Sequence, residues 1–357
     1  MSETKIDDLL NDNVAAIVMR EHLVPVEGED GVLFPATFAA AEGRDGFKGG
    51  YNVDELKLGD GKHNVCLIDS VGSQANRIEP MFSEGAYAEL VPQIVVKAGE
   101  RKINLLEAGH RAGDAIVRCS ELQEELQGAF KAFVRGDAEP LARVAPTSLV
   151  FGVWDSRETQ AKAPRVLAAS IRAFDVELLT RSAQFVPATN YVDEGLLEET
   201  EDKTLLKQYS ERGFTHVPAS ASHGGVIARQ GVRRESTLHL GALRLLRSSN
   251  PEKTNALRRY VLGLALTAFT RPAIGYLRQG CNLVRHPAKG IEASVVQLDG
   301  RRPPFTLSHE DALTFAKKEA KAFKVSAGRE VEFDKDRAKK DLAGSKKAAD
   351  KKPKKGK

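Results

Sequence analysis

A chain of 357 residues with 41% hydrophobic content carries enough apolar side chain to bury a real core in one large domain or two ordinary ones, and is expected to fold rather than stay disordered. Its longest apolar run, YVLGLALTAF at 260–269, is too short to span a bilayer and reads as a buried helix. The formal charge of +4 hides an asymmetry: residues 1–211 carry a net −14, whereas residues 212–289 carry +11, mostly as arginine.

Taken in chain order, Ile6, Leu9, Leu10 and Ile17 predict a helix over residues 5 to 20. A glycine-rich polar stretch, EGRDGFKGGYNVDELKLGDGKHN, then delays the first strand to about 64–69, and this long connection reads as an insertion over about 40–63. Helical periodicity resumes over about 107–134, and TSLVFGVW (147–154) reads as a buried strand. RVLAASIRAFDVELLTRS (165–182) has no Gly or Pro and is mostly strand. The acidic piece at 193–212 reads as an exposed helix or arm, within a second insertion over about 191–225.

Two helices follow the glycine-rich 218–232 stretch. One lies near 237–247; the other opens at Asn250-Pro251, with a capping side chain before a proline that fits the first helical turn. Strands near 281–298 and a helix from Ser308, with Asp311 placed for a capping box, complete the ordered part. Residues 326–357 lose apolar content and end in GSKKAADKKPKKGK, so they read as a disordered, Lys-rich tail behind one domain at 1–325. The uneven alternation of strands and helices suits a decorated α+β domain.

An arginine-rich block makes a polyanion the natural partner, since guanidinium matches phosphate geometry. The alternative is a block whose arginines pair with the acidic N-terminal part. Three cysteines, Cys66, Cys119 and Cys281, with no C-x-x-C pair, argue for a reducing, cytoplasmic compartment and against a zinc knuckle.

Three segments carry candidate chemistry. In Gly72-Ser73-Gln74-Ala75-Asn76-Arg77 a helix start offers free N–H groups, a possible cap at Ser73, and Arg77 one turn along, which suits a phosphate; the bland reading is a capped helix with a solvated arginine. In WDSRETQAKAPR, Arg157, Lys162 and Arg165 follow Trp154, three cations beside an aromatic that could hold a sugar-phosphate chain, unless Asp155 and Glu158 pair with them. In HGGVIARQGVRR, His223, Arg229, Arg233 and Arg234 put charge beside backbone that Gly224, Gly225 and Gly231 open to close approach; an ordinary hairpin is the alternative.

Enzymatic readings find less support. Asp69, Glu79 and Asp155 around metals, or His216, His223 and His239 as acid/base groups, lack the spacing of known devices, and no H-x-x-x-H pair, G-x-S-x-G elbow, P-loop or dinucleotide fingerprint is present. No cofactor or metal is expected.

FPATF (34–38), LIDSVGSQANRIEP, GHRAGDA, FGVWDSR with KAPR, GFTHVPASASHGGVIARQGVRR and LGALRLLR follow one another in an order that resembles the backbone subunit of the type I-G (formerly I-U) CRISPR interference complex, in the Cas-seven group of the RAMP superfamily. The resemblance covers most of the chain to about 300, and SVGSQANRIE is its most specific part. It implies a modified ferredoxin-like, RRM-type core with inserted arms likened to palm, fingers and thumb. It also implies copies packed head to tail on a guide RNA (crRNA) inside a Cascade-type complex, with other subunits and with target DNA reached through the guide. Carried over, it puts Ser73, Gln74, Asn76 and Arg77 on the guide backbone; where relatives carry Lys-Arg this chain has Asn76-Arg77, so a hydrogen bond replaces one charge contact. The function expected is non-catalytic RNA binding in antiviral defence, and the alternative is a RAMP-type endoribonuclease that processes the guide precursor.

Overall fold

The computed structural model describes residues 5–41, 48–58, 61–272 and 275–350. After a short 3-10 turn at Ile6–Leu10, strand β1 (Val14–Pro25) enters the middle of the main sheet. A small ladder, β2 (Thr37–Phe38) with β3 (Gly50–Tyr51), precedes the hairpin β4 (Val53–Leu58) and β5 (Gly61–Asp69), and helix α1 (Val71–Ile78) leaves the end of β5. Strands β6 (Ile94–Ala98) and β7 (Arg101–Asn104) form a side ladder. Helices α2 (Ala115–Arg118), α3 (Gln123–Val134), α4 (Glu139–Val144) and α5 (Thr147–Phe151) lead to the two-residue strands β8 (Val153–Trp154) and β9 (Lys162–Ala163).

Strand β10 (Leu167–Phe174) returns to the main sheet and runs into β11 (Val176–Phe185), which pairs with β12 (Val217–Ala228) as a two-stranded arm bearing α6 (Lys203–Glu211) in its connection. Asp175, at φ 48°, makes the bend between β10 and β11. Then come β13 (Val232–His239), α7 (Leu240–Arg244), α8 (Pro251–Thr270), β14 (Tyr276–Arg278), β15 (Cys281–Arg285), β16 (Glu292–Gln297), α9 (His309–Phe323), β17 (Arg329–Glu332) and α10 (Lys335–Asp350).

The main sheet runs β14-β15-β1-β13-β10-β5-β4, with β16 also on β1, and every pair in it is antiparallel. Strand β13 alternates strictly, with Val232, Arg234, Ser236 and Leu238 buried, so one face of the sheet lies on the core. Against that face lies α8, buried from Tyr260 to Phe269, and α9 packs on α8 so closely that a Cβ on Gly263 would meet Ala316 Cα at 2.9 Å. The capping of both helices is as the sequence predicts: Asn250 Oδ1 accepts from Lys253 N–H, and Ser308 Oγ from Asp311 N–H.

Several expectations are corrected. The helix expected at 5–20 is a turn followed by β1, because Val14–Pro25 is held between β13 on one side and β15 and β16 on the other, and tertiary pairing overrides a loose helical pattern. The buried strand expected at 147–154 is the helix α5 followed by β8; residues 147–151 are all buried, and a run apolar on every side carries no period that separates helix from strand. The helical region at 107–134 is broken at Asp114, which caps α2, and again before α3.

The second expected insertion, 191–225, is the outer part of an arm that already begins at β11. Within the first, at 40–63, β3 and β4 are ordered and β4 is an edge strand of the main sheet; residues 42–47 and 59–60 lie outside the described residues. The disordered tail expected from 326 begins too early. Arg329–Glu332 pairs in parallel with β6 and buries Val331, and α10 follows to Asp350, so a few apolar residues suffice where a strand edge is available. Residues 351–357 lie outside the described residues.

Candidate nucleic-acid interface

Asp69 ends β5 fully buried and organises the start of α1. Its Oδ1 accepts from Ser73 Oγ at 2.9 Å and Arg278 Nη2 at 2.8 Å, and its Oδ2 from Gln74 Nε2 at 2.7 Å and Arg77 Nε at 3.1 Å. The cap is Ser70, whose Oγ accepts from Ser73 N–H at 3.2 Å, in place of the expected Ser73. Ser73, Gln74 and Arg77 therefore serve an internal carboxylate.

Asn76 points the other way. Its Oδ1 accepts from Arg111 Nη2 at 3.2 Å, at one wall of a groove of about 760 Å³ lined also by Gly72, His110, Arg118, Trp154, Arg157, Lys162 and Arg165. The first two candidate segments thus meet at one surface, and among the described residues no carboxylate lines it.

The loop from Trp154 to Lys162 is rigidly built. Trp154 and Lys162 face each other across the β8–β9 ladder, and buried Asp155 accepts from the N–H groups of Arg157, Glu158 and Thr159 and from Thr159 Oγ1 at 2.6 Å. Burial opposes the charge on Asp155, but these hydrogen bonds outweigh it and hold its pKa below the ordinary value. Glu158 turns away to Gln123 Nε2, at 2.7 Å, and to Gln127. Both acids that might have neutralised the loop are therefore occupied, and among the described residues Arg157, Lys162 and Arg165 form no ion pair. Gly152, at φ 81°, lets the stem of Arg165 pass: a Cβ there would meet Arg165 Cγ at 2.7 Å.

Arg111 supplies the floor. It is buried, at φ 55°, with Nε 2.6 Å from Glu79 Oε2 and its guanidinium 5.4 Å from the centre of the Phe151 ring. Burial lowers the pKa of Arg111, partly offset by Glu79, and pushes that of Glu79 up to about 7 against the pull of Arg111. A left-handed arginine held this way is backbone strain retained at a groove. His110, Arg111 and Arg118 were not singled out by sequence reasoning; the glycine-flanked GHRAGD was quoted only as part of a resemblance.

The third segment does not join this surface. Arg234 is buried beside Glu21, Nε to Oε2 2.8 Å, and burial lowers its pKa. Arg233 lies over the Phe174 ring at 3.6 Å, Arg229 pairs with Glu177 at 2.6 Å, and His223 stands edge-on to Tyr51 and fills the space beside Gly50. The wider basic block behaves alike. Of its thirteen cations, Arg229, Arg234, Arg244, Lys253, Arg259, Arg271, Arg278 and Arg285 each pair with an acid from residues 1–211. The charge asymmetry of the sequence is used mostly inside the molecule.

Among the described residues no cluster of His, Cys, Asp and Glu is arranged to hold a metal ion, and no helix is long and apolar enough to cross a membrane. The α+β fold thus presents cations without ion pairs, among the described residues, and an exposed indole in one groove. Residues 17–178, which include the whole groove, match the family model described as CRISPR-associated protein GSU0053, so over that segment the chain is similar to CRISPR-associated proteins of this family. No curated protein matches the chain.

Proposed function

We propose that the chain is a non-catalytic RNA-binding subunit of a type I-G CRISPR interference complex, holding the guide RNA backbone in the groove between α1 and the Trp154–Arg165 loop. The observation that carries this reading is that, among the described residues, Arg157, Lys162 and Arg165 are exposed without ion pairs beside Trp154 and Asn76 in a groove that no carboxylate lines. Such contacts serve a guide of any sequence, because they go to phosphate and sugar and leave base edges free to pair with target DNA. The order β15-β1-β13-β10, with helices in the β1–β10 and β13–β15 connections, supports a ferredoxin-like, RRM-type core, and the β11–β12 arm supports an inserted thumb or finger. Copies packing head to tail along the guide, neighbouring subunits and a cytoplasmic setting belong to the same reading, the last in keeping with three buried free thiols.

The test is binding of several unrelated guide-length single-stranded RNAs to the purified protein and to the Arg157→Ala, Lys162→Ala, Arg165→Ala triple variant. The reading expects uniform weakening across sequences. Loss confined to one RNA, or cleavage of a guide precursor by the pure protein, would overturn it.

A further inference from the structure

Trp154 is the chain's sole tryptophan, and the residue is 59% exposed on the rim of the groove. Burying an indole is strongly favourable, so an exposed one on a rigid support marks a surface awaiting a flat partner. The support is rigid here: the β8–β9 ladder fixes Trp154 opposite Lys162, Asp155 ties down the loop backbone, and Gly113 passes so near that a Cβ on it would meet Trp154 O at 3.2 Å. Lys162 Nζ lies 5.8 Å from the indole centre, close enough to favour a negative group beside the ring.

We infer that Trp154 is a stacking platform for one unpaired nucleobase of the bound strand. This rests on the groove holding RNA backbone and adds what backbone contacts leave open, the seat of a base. Lys162 faces Trp154 across the β8–β9 ladder, so a phosphate drawn to Lys162 lies beside the indole, and only an unstacked base can turn onto the ring. In a duplex both faces of each base are occupied by neighbours.

Because there is one tryptophan, its emission reports on this position without a label. The experiment titrates the full chain with a short oligouridylate, with a base-free ribose-phosphate oligomer of equal length, and with double-stranded RNA, following binding by anisotropy and Trp154 by fluorescence. The expected result is that oligouridylate quenches Trp154 and binds roughly tenfold more tightly than the base-free oligomer or the duplex. Trp154→Ala erases that preference, and Trp154→Phe retains most of it. Equal binding of oligouridylate and base-free oligomer with unchanged emission overturns the stacking role and leaves the backbone groove standing. Failure of both oligomers to bind, or binding indifferent to the Arg157, Lys162 and Arg165 substitutions, overturns the groove itself.

Discussion

Arg234 faces Glu21 across the β1–β13 ladder, both side chains are buried, and Arg285 Nε reaches the same carboxylate at 2.6 Å. An arginine that reads in the sequence as a phosphate contact is thus half of an internal pair. Removing Arg234 leaves the buried Glu21 carboxylate with half-exposed Arg285 as its partner, so the cost is substantial but below the about 3–5 kcal/mol of a buried pair broken outright. Arg234→Ala is therefore expected to lower the urea midpoint strongly, whereas Arg229→Ala, at the exposed pair with Glu177, stays near wild type. Equal, small effects would show that Arg234 is not committed to the fold.

The groove makes the opposite prediction. Arg157, Lys162 and Arg165 are exposed and unpaired among the described residues, so the triple alanine variant is expected to unfold as wild type does. Its RNA affinity falls, and the slope of log affinity against log salt becomes shallower by about two to three. A variant with the wild-type salt slope would place the RNA elsewhere.

Asp155 positions these cations without touching RNA in this account. Asp155→Ala removes four accepted hydrogen bonds and is expected to weaken RNA binding several-fold while leaving the salt slope unchanged, because no phosphate contact is deleted. A shallower slope in this variant would contradict a purely positioning role.

Glu79 gives a pH dependence with a definite sign. Burial pushes its pKa from 4.5 to about 7, so the folded protein holds a proton there that the unfolded chain releases, and stability from this group declines as pH rises between these values. Glu79→Gln carries no such titration. The stability of wild type relative to Glu79→Gln is expected to fall from pH 5 to pH 8 in urea melts; a rise would mean that the charged pair with Arg111 is the favoured state.

How far the sequence could be read depended on the kind of signal. Caps at Asn250 and Ser308 are local chemistry and were legible, as was the wholly apolar α8. Strand β1 was not, because its pairing partners lie more than two hundred residues away and nothing local announces them. The same distance hid the fate of the basic block: net charge counts residues, whereas the pairing of Arg278 with Asp69 or Arg259 with Asp7 needs the fold. Of the three candidate segments, the Trp154–Arg165 loop is the one whose cations all stay out of ion pairs among the described residues, since the acids beside them, Asp155 and Glu158, are drawn off by backbone N–H groups and by α3. Arg111 was missed because its role depends on a left-handed backbone and on Glu79, and neither is visible in GHRAGD.

The central claim is that this protein holds a guide RNA in that groove, and it is tested most directly by what the protein carries out of a cell. The chain is expressed with a CRISPR array and its neighbouring subunits, and the purified assembly's nucleic acid is sequenced, for wild type and for the triple variant at Arg157, Lys162 and Arg165. The account predicts RNAs of one guide length, with several copies of the chain per RNA, on the wild type and a marked loss of RNA on the variant. Protein purified free of RNA, or a variant that retains the same RNA in full, would contradict it.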